Sequence, residues 1–230
     1  GFSADLQAGG VIDVSGGYLL DAAGKGTFGK GGSITVEAGR DKASPTVIGG
    51  TLTLNSTLLG YAGPGKKGGT LSLQAAHVQI GGSPAGADTL LLQPGFFDQG
   101  GFSDFRLTGL GIGSRPGVLV TAGTLLAPVV KSWEAAILPA GAGELSLRPV
   151  IDIVGSRTPV NLTLSSPVLR SLTTVEVGDV VVENGAVIRT DPGGSVVLTG
   201  GTVSIFGSII APGGTITVAG DERQRGDGLA

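Results

Sequence analysis

The carboxylates are the first residues to weigh for catalysis, and they are sparse. The 230-residue chain has 18 Asp and Glu residues, and none of them forms an Asp-Asp or Asp-x-Asp pair. Hydrolysis of a glycosidic bond needs two carboxyl groups held a defined distance apart. The best placed are Asp98 and Asp104, which flank an aromatic-rich stretch, but solvation of loops explains such residues more simply. The sequence therefore predicts no catalytic residues and no enzyme.

Metal ligands are the next candidates. The chain has one His, at position 77, and no Cys, which excludes a thiolate site and a site built on two His residues. Val78 and Ile80 take the inward positions of a short predicted strand, so we expect His77 to face solvent. The stretch GGSPAGADTL at 81–90 is similar to a calcium-binding nonapeptide, but it has two extra residues and no tandem copy. We expect no metal and no cofactor.

The aromatic residues are concentrated in one part of the chain. Four of the seven Phe lie between positions 96 and 105, and the only Trp is Trp133. Clustered aromatic side chains usually pack a core, which is the favoured interpretation. The alternative is an exposed platform for a glycan or a protein, with Phe97, Phe102 and Trp133 as the candidate anchors. Both interpretations remain open at the level of sequence.

A tripeptide near the end offers a different kind of binding site. Arg225, Gly226 and Asp227 form the Arg-Gly-Asp motif that many host integrins recognise. Its chemistry is a guanidinium and a carboxylate presented on either side of a Gly turn. Gly is abundant here, with 44 residues, so a chance occurrence in a solvated tail is the favoured interpretation.

A repeated phrase organises the elements that would position these residues. Gly-Gly, then Ser or Thr, then alternating apolar residues occurs at 31, 49, 68, 193 and 213, with intervals of 18, 19 and 20 residues between neighbouring copies. Alternation with period two predicts strands. One face of each strand is aliphatic and predicted to point inward, and the other is small, hydroxylated and outward. The inward set is Ile34, Val36, Leu52, Leu54, Leu71, Leu73, Val196, Leu198, Ile216 and Val218.

Short strands repeated about every 20 residues predict an all-β fold, a parallel β-helix. If every residue joined, about 11 coils would make a rod roughly 50 Å long. We predict β-helix coils over 1–87 and 171–220, an irregular extension or widened coils over 88–170, and a flexible tail over 221–230. Within the middle region, KSWEAAI at 131–137 is predicted to form one or two helical turns.

Composition excludes several classes of partner. The formal net charge is −3, which offers no basic surface to a nucleic acid. No apolar run approaches the roughly 18 residues that a membrane-spanning helix needs. The absence of Met and of a visible signal peptide predicts a processed piece or a fragment of a longer protein.

Two stretches carry a resemblance to a known family. GGTLSLQAAHVQIGG and GGTVSIFGSIIAPGGTITVAG resemble coils of filamentous haemagglutinin-type exoproteins of Gram-negative bacteria, the large adhesins of two-partner secretion. The resemblance covers about 1–87 and 171–220. It implies a right-handed parallel β-helix, export through an outer-membrane transporter, and a secreted or cell-surface adhesin that binds a host-cell receptor or glycan. The chain resembles an interior segment, because the full pattern of the secretion domain is absent from it.

Two other functions are compatible with a β-helix. One is a carbohydrate-active enzyme, a polysaccharide lyase or hydrolase, which would need a carboxylate cluster on one sheet face that the sequence does not contain. The other is the stalk of a contact-dependent toxin-delivery protein, which only longer flanking sequence would distinguish from an adhesin. Fold alone does not decide among them.

Overall fold

The computed structural model describes residues 2–23, 26–41, 43–44, 47–111, 115–136, 146–154, 157–170 and 175–220. Over these ranges the protein is all-β, its larger sheets are parallel, and its one helical segment is a 3₁₀ turn at Pro94–Asp98. No helix in these ranges is long and apolar enough to cross a membrane.

The strands follow one another in short segments. They are β1 (Ala4–Leu6), β2 (Val11–Asp13), β3 (Tyr18–Leu20), β4 (Gly26–Phe28), β5 (Ser33–Glu37), β6 (Leu52–Leu54), β7 (Thr57–Leu59), β8 (Gly69–Ala75), β9 (His77–Ile80), β10 (Thr89–Leu92), β11 (Phe102–Gly109), β12 (Val118–Val120), β13 (Leu125–Leu126), β14 (Ser132–Ala136), β15 (Ser146–Val150), β16 (Asn161–Ser166), β17 (Leu169–Arg170), β18 (Val175–Glu176), β19 (Asp179–Val182), β20 (Val187–Arg189), β21 (Ser195–Gly200), β22 (Thr202–Ile205), β23 (Ser208–Ile210) and β24 (Thr215–Gly220).

The central element is a six-stranded parallel sheet with the order β5-β8-β11-β16-β21-β24. Its register stacks one inward position of every strand into a single ladder, namely Ile34, Leu71, Phe105, Leu162, Val196 and Ile216. The first five of these side chains are buried. The predicted inward aliphatic face is therefore confirmed for β5, β8 and β21, and β11 and β16 extend it.

Two further parallel sheets have the orders β10-β9-β12-β19-β22 and β13-β20-β23. From β11 onward the chain passes from the six-stranded to the five-stranded to the three-stranded sheet and then returns. It makes this circuit three times, ending in β16, β21 and β24. Each strand pairs with the equivalent strand of the next circuit, so the circuits are stacked and their apolar side chains share one core.

The length of a circuit differs from the predicted period. Twenty residues separate paired positions only in the last step, from Ser195 to Thr215. The paired Asp104 and Asn161 lie 57 residues apart, and Asn161 and Ser195 lie 34 apart. In the longer steps the additional residues lie in the connections between the strands. Six strands spaced at about 4.8 Å span only about 24 Å from first to last. The expectation of about 11 coils and a rod of roughly 50 Å is wrong for this sheet.

The copy of the phrase that begins at Gly49 does not join the six-stranded sheet. Its strand β6 pairs with β1, outside the six-stranded sheet, while β5 pairs directly with β8. Leu52 and Leu54 are therefore not equivalent to Ile34 and Val36, although Leu52 is buried. A local phrase specifies a strand and its inward face, but it does not specify which strand becomes its neighbour.

The Gly doublets at 193 and 213 are required by the backbone conformation and by the close stacking of the circuits. Gly193 and Gly213 have φ values of +85° and +60°, which favour Gly because side chains with a Cβ are strained there. The second Gly packs against the circuit below. A Cβ at Gly214 would lie 1.8 Å from the Gly194 carbonyl oxygen, so no larger residue fits.

The predicted middle region, 88–170, combines two kinds of structure. Strands β10 to β13 and β16 continue the parallel sheets, whereas β14 and β15 form an antiparallel pair outside them. The predicted helical turns at KSWEAAI are wrong over Ser132–Ala136, which is strand β14. Pairing with β15 and a hydrogen bond from the Trp133 amide to the Ala62 carbonyl hold this segment extended.

One end of the stack exposes its apolar interior. β22, β23 and β24 are the last strands of their sheets. Ile216 and Val218 are 46% and 48% exposed, whereas their partners Val196 and Leu198 are fully buried. Ile216 and Val218 lie on the predicted inward face but are not buried, because no further strand covers β24 within the part of the chain that is described.

Candidate binding cleft

A cleft of about 570 Å³ opens between the turn that joins β6 to β7 and the 3₁₀ turn. Ligand sites commonly have volumes of about 300–1,000 Å³. Its walls are Leu54, Asn55, Ser56, Thr57, Leu58, Leu59, Tyr61, Leu71, Phe96, Gln99, Gly100, Phe102, Phe105 and Lys131. Residues of β6, β7, β8 and β11 and of the segment leading into β14 therefore meet at this opening.

The cleft combines an apolar floor with a polar rim. Leu58 and Leu71 belong to the core, while the side chains of Asn55, Gln99 and Lys131 supply amide and ammonium groups. The Ser56 hydroxyl is buried without a hydrogen-bond partner. Such an arrangement suits a ligand that is apolar on one face and rich in hydroxyl groups on the other.

Tyr61 forms part of the same wall. Burial raises the pKa of its hydroxyl, with a backbone hydrogen bond at Gly100 acting in the opposite direction. The hydroxyl is therefore protonated at neutral pH and available as a donor. The Trp133 ring lies 4.4 Å from the Tyr61 ring, centroid to centroid, so the antiparallel pair β14–β15 packs against this side of the cleft.

The aromatic residues that the sequence singled out are packing residues. Phe97 and Phe102 are 1% and 2% exposed, so neither ring is presented to a partner as an anchor. Both surround Phe105, at centroid distances of 5.0 and 6.1 Å, with edge-to-face geometry. Trp133 is half-buried against Tyr61. Phe97 and Phe102 therefore belong to a core cluster around Phe105, which occupies an inward ladder position, and they do not form an exposed platform.

The two candidate catalytic carboxylates each have a structural partner. Asp98 accepts a hydrogen bond of 2.8 Å from the Val129 amide. Asp104 forms an ion pair of 3.0 Å with Lys67 and accepts a hydrogen bond of 3.3 Å from Asn161. These contacts tie neighbouring circuits together.

His77 does not face solvent as predicted. It is 3% exposed, and its Nδ1 lies 3.0 Å from the Pro116 carbonyl oxygen. Its strand position does point away from the core, but the segments 81–88 and 115–117 cover that face. The sequence could not show this cover, because Pro116 lies 39 residues further along the chain.

The segment after His77 is held at its end by an arginine. Asp88, the one acidic residue of GGSPAGADTL, forms an ion pair of 2.6 Å with Arg115. The Arg115 guanidinium holds the pKa of the Asp88 carboxyl below its usual range. Within the described ranges, no group of three or more His, Asp or Glu side chains could hold a metal ion. The Arg-Gly-Asp motif at 225–227 lies outside the described residues.

Comparison of the chain with protein-family models, with curated proteins and with solved structures gave no match in any of the three. Any assignment of function therefore depends on the sheets, the cleft and the sequence pattern.

Proposed function

We propose that this chain is a segment of a right-handed parallel β-helix that serves as a structural and adhesive part of a large secreted or surface-attached exoprotein, of the filamentous haemagglutinin type. The observation that carries the proposal is the in-register ladder of six parallel strands, together with the fixed order in which the chain visits three sheets. A stack of this kind is extended by adding circuits, and each circuit contacts mainly its neighbours.

Two further features support this role. The chain has no Cys, so no disulfide would block passage of an unfolded chain through an outer-membrane transporter. The apolar end at Ile216 and Val218 is suited to packing against one more circuit of the same kind. An apolar surface of this sort on a protein usually marks a contact with another element.

We assign the adhesive contact to the cleft. The outward face of the six-stranded sheet bears mainly small hydroxylated side chains, such as Thr163 and Thr217, and offers few anchors. The cleft instead presents apolar and aromatic walls beside the amide groups of Asn55 and Gln99. A sugar ring has one apolar face and several hydroxyl groups, so a host-surface glycan is the partner class that suits it.

Attachment of protein-coated beads to epithelial cells tests both statements. Beads coated with the chain should attach several-fold better than albumin-coated beads. The double change Asn55→Ala and Gln99→Ala should remove most of this difference without changing the melting temperature. Thr217→Ala, on the outward sheet face, is the matched control and should attach like the original chain.

The possible failures are distinguishable. Attachment no better than that of albumin would refute the adhesive role. Strong attachment that survives the double change would leave that role standing and refute the cleft as the contact site.

A further inference from the structure

The environment of His77 contains an unpaired polar atom with a specific neighbour. Because a carbonyl oxygen only accepts hydrogen bonds, the contact of Nδ1 with Pro116 places a proton on Nδ1. In the neutral ring Nε2 is then an acceptor. It is buried, it has no hydrogen-bond partner, and it lies 3.7 Å from an oxygen of Asp88, which is also an acceptor.

Protonation of His77 would resolve this mismatch. An imidazolium carries a proton on Nε2 as well, which can be donated to the Asp88 carboxylate after a small approach of the two groups. The charged groups that face His77 from the adjoining segments of β10 and β12 are Asp88 and Arg115. The Asp88 carboxylate would then contact two cations, the His77 imidazolium and the Arg115 guanidinium.

The three residues lie on three different segments. His77 begins β9, Asp88 ends the segment 81–88, and Arg115 precedes β12. Gln79 holds the start of that segment, because its side chain donates to the carbonyl oxygens of Gly81 and Ser83, at 2.9 and 2.6 Å. The Ala85 amide donates a hydrogen bond of 3.1 Å to the Gln79 side-chain oxygen, and Asp88 holds the last residue of the segment through Arg115. Beneath the segment is a cavity of about 140 Å³, lined by His77, Gln79, Ala85, Leu119 and neighbouring residues.

We propose that His77, Asp88 and Arg115 form a proton-operated latch, which holds segment 81–88 on the outer face of the five-stranded sheet at acidic pH and loosens it as the pH rises. The loosened segment would open the cavity beneath it. The latch is independent of the adhesive cleft, which lies on other strands.

Amide hydrogen exchange of the whole chain at pH 5 and pH 8 tests the latch, after correction for the intrinsic pH dependence of exchange. His changes charge between these values. We expect protection of the amides at 83–89 to be roughly three- to tenfold lower at pH 8, as for loss of a partly exposed charged hydrogen bond. The amides of β16 provide the internal reference and should not change.

Two variants separate the latch from a general effect of pH. His77→Gln has no titratable ring, so its protection at 83–89 should be the same at both pH values. Asp88→Asn removes the carboxylate and offers an amide donor to the neutral ring, so its pH dependence should vanish or invert. Equal protection of the original chain at pH 5 and pH 8 would overturn the proposal. So would an unchanged pH dependence in either variant.

Discussion

Phe105 shows how one residue changes the packing of this fold. It stands in the inward ladder between Leu71 and Leu162, where the other strands carry aliphatic side chains. The rings of Phe96, Phe97 and Phe102 pack around the Phe105 ring. The aromatic cluster therefore forms the core at this level of the stack.

Truncation of this ring tests that interpretation. We expect Phe105→Ala to lower the free energy of unfolding by about 3–5 kcal/mol, because it removes a fully buried ring and leaves a cavity. Urea denaturation followed by circular dichroism measures the change. Thr163→Ala, on the outward face of β16, should cost less than about 1 kcal/mol. A small cost at Phe105 would mean that the cluster is not the centre of this part of the core.

Strands β21 and β24 illustrate how the position of an element in the stack determines its stability. They carry the same alternating phrase and pair in register, yet Val196 is fully buried and Ile216 is 46% exposed. The difference arises because β21 has a neighbour on both sides and β24 has one on a single side. Two strands of similar pattern thus have different environments.

A matched pair of substitutions measures this difference. Val196→Asp places a carboxylate in the core without a partner and should cost several kcal/mol, enough to prevent folding in a marginally stable chain. Ile216→Asp should cost much less, since the new carboxylate stays in contact with water. Thermal melting followed by circular dichroism compares the two variants. Equal destabilisation would indicate that β24 is covered in solution.

At the scale of the whole molecule, the stack resembles a one-dimensional array. Each of the four inner strands of the six-stranded sheet contacts two neighbours, and the circuits share one continuous core. In such arrays stability is approximately a sum of the stabilities of the units and of their interfaces. Among the described residues, the central circuits have two interfaces each and the circuit that ends in β24 has one.

Native-state hydrogen exchange should therefore show a gradient along the stack. We expect the strongest protection in β11 and β16 and the weakest in β24, whose side chains are exposed throughout. The measurement needs only resolved amides in each strand at one pH. Uniform protection across the six strands would show instead that the sheet unfolds as a single cooperative unit.

The sequence by itself determined the local features of this protein. The alternating pattern in 195–199 and 215–219 indicated strands and their inward faces, because successive side chains of a strand point to opposite sides and only one face buries Val196 and Leu198. The all-β class and the parallel pairing followed from the same short-range pattern.

Only the tertiary structure decided which strands are neighbours and what covers them. β5 pairs with β8, although β6 is nearer to it in sequence. The phrase is the same kind of strand signal in each case, and it carries no information about the connections that separate the copies. His77 is buried by Pro116, which follows 39 residues later, and β14 is a strand because β15 and Ala62 pair with it. In each case the decisive contact joins segments that are far apart in sequence, and no local pattern specifies such a contact.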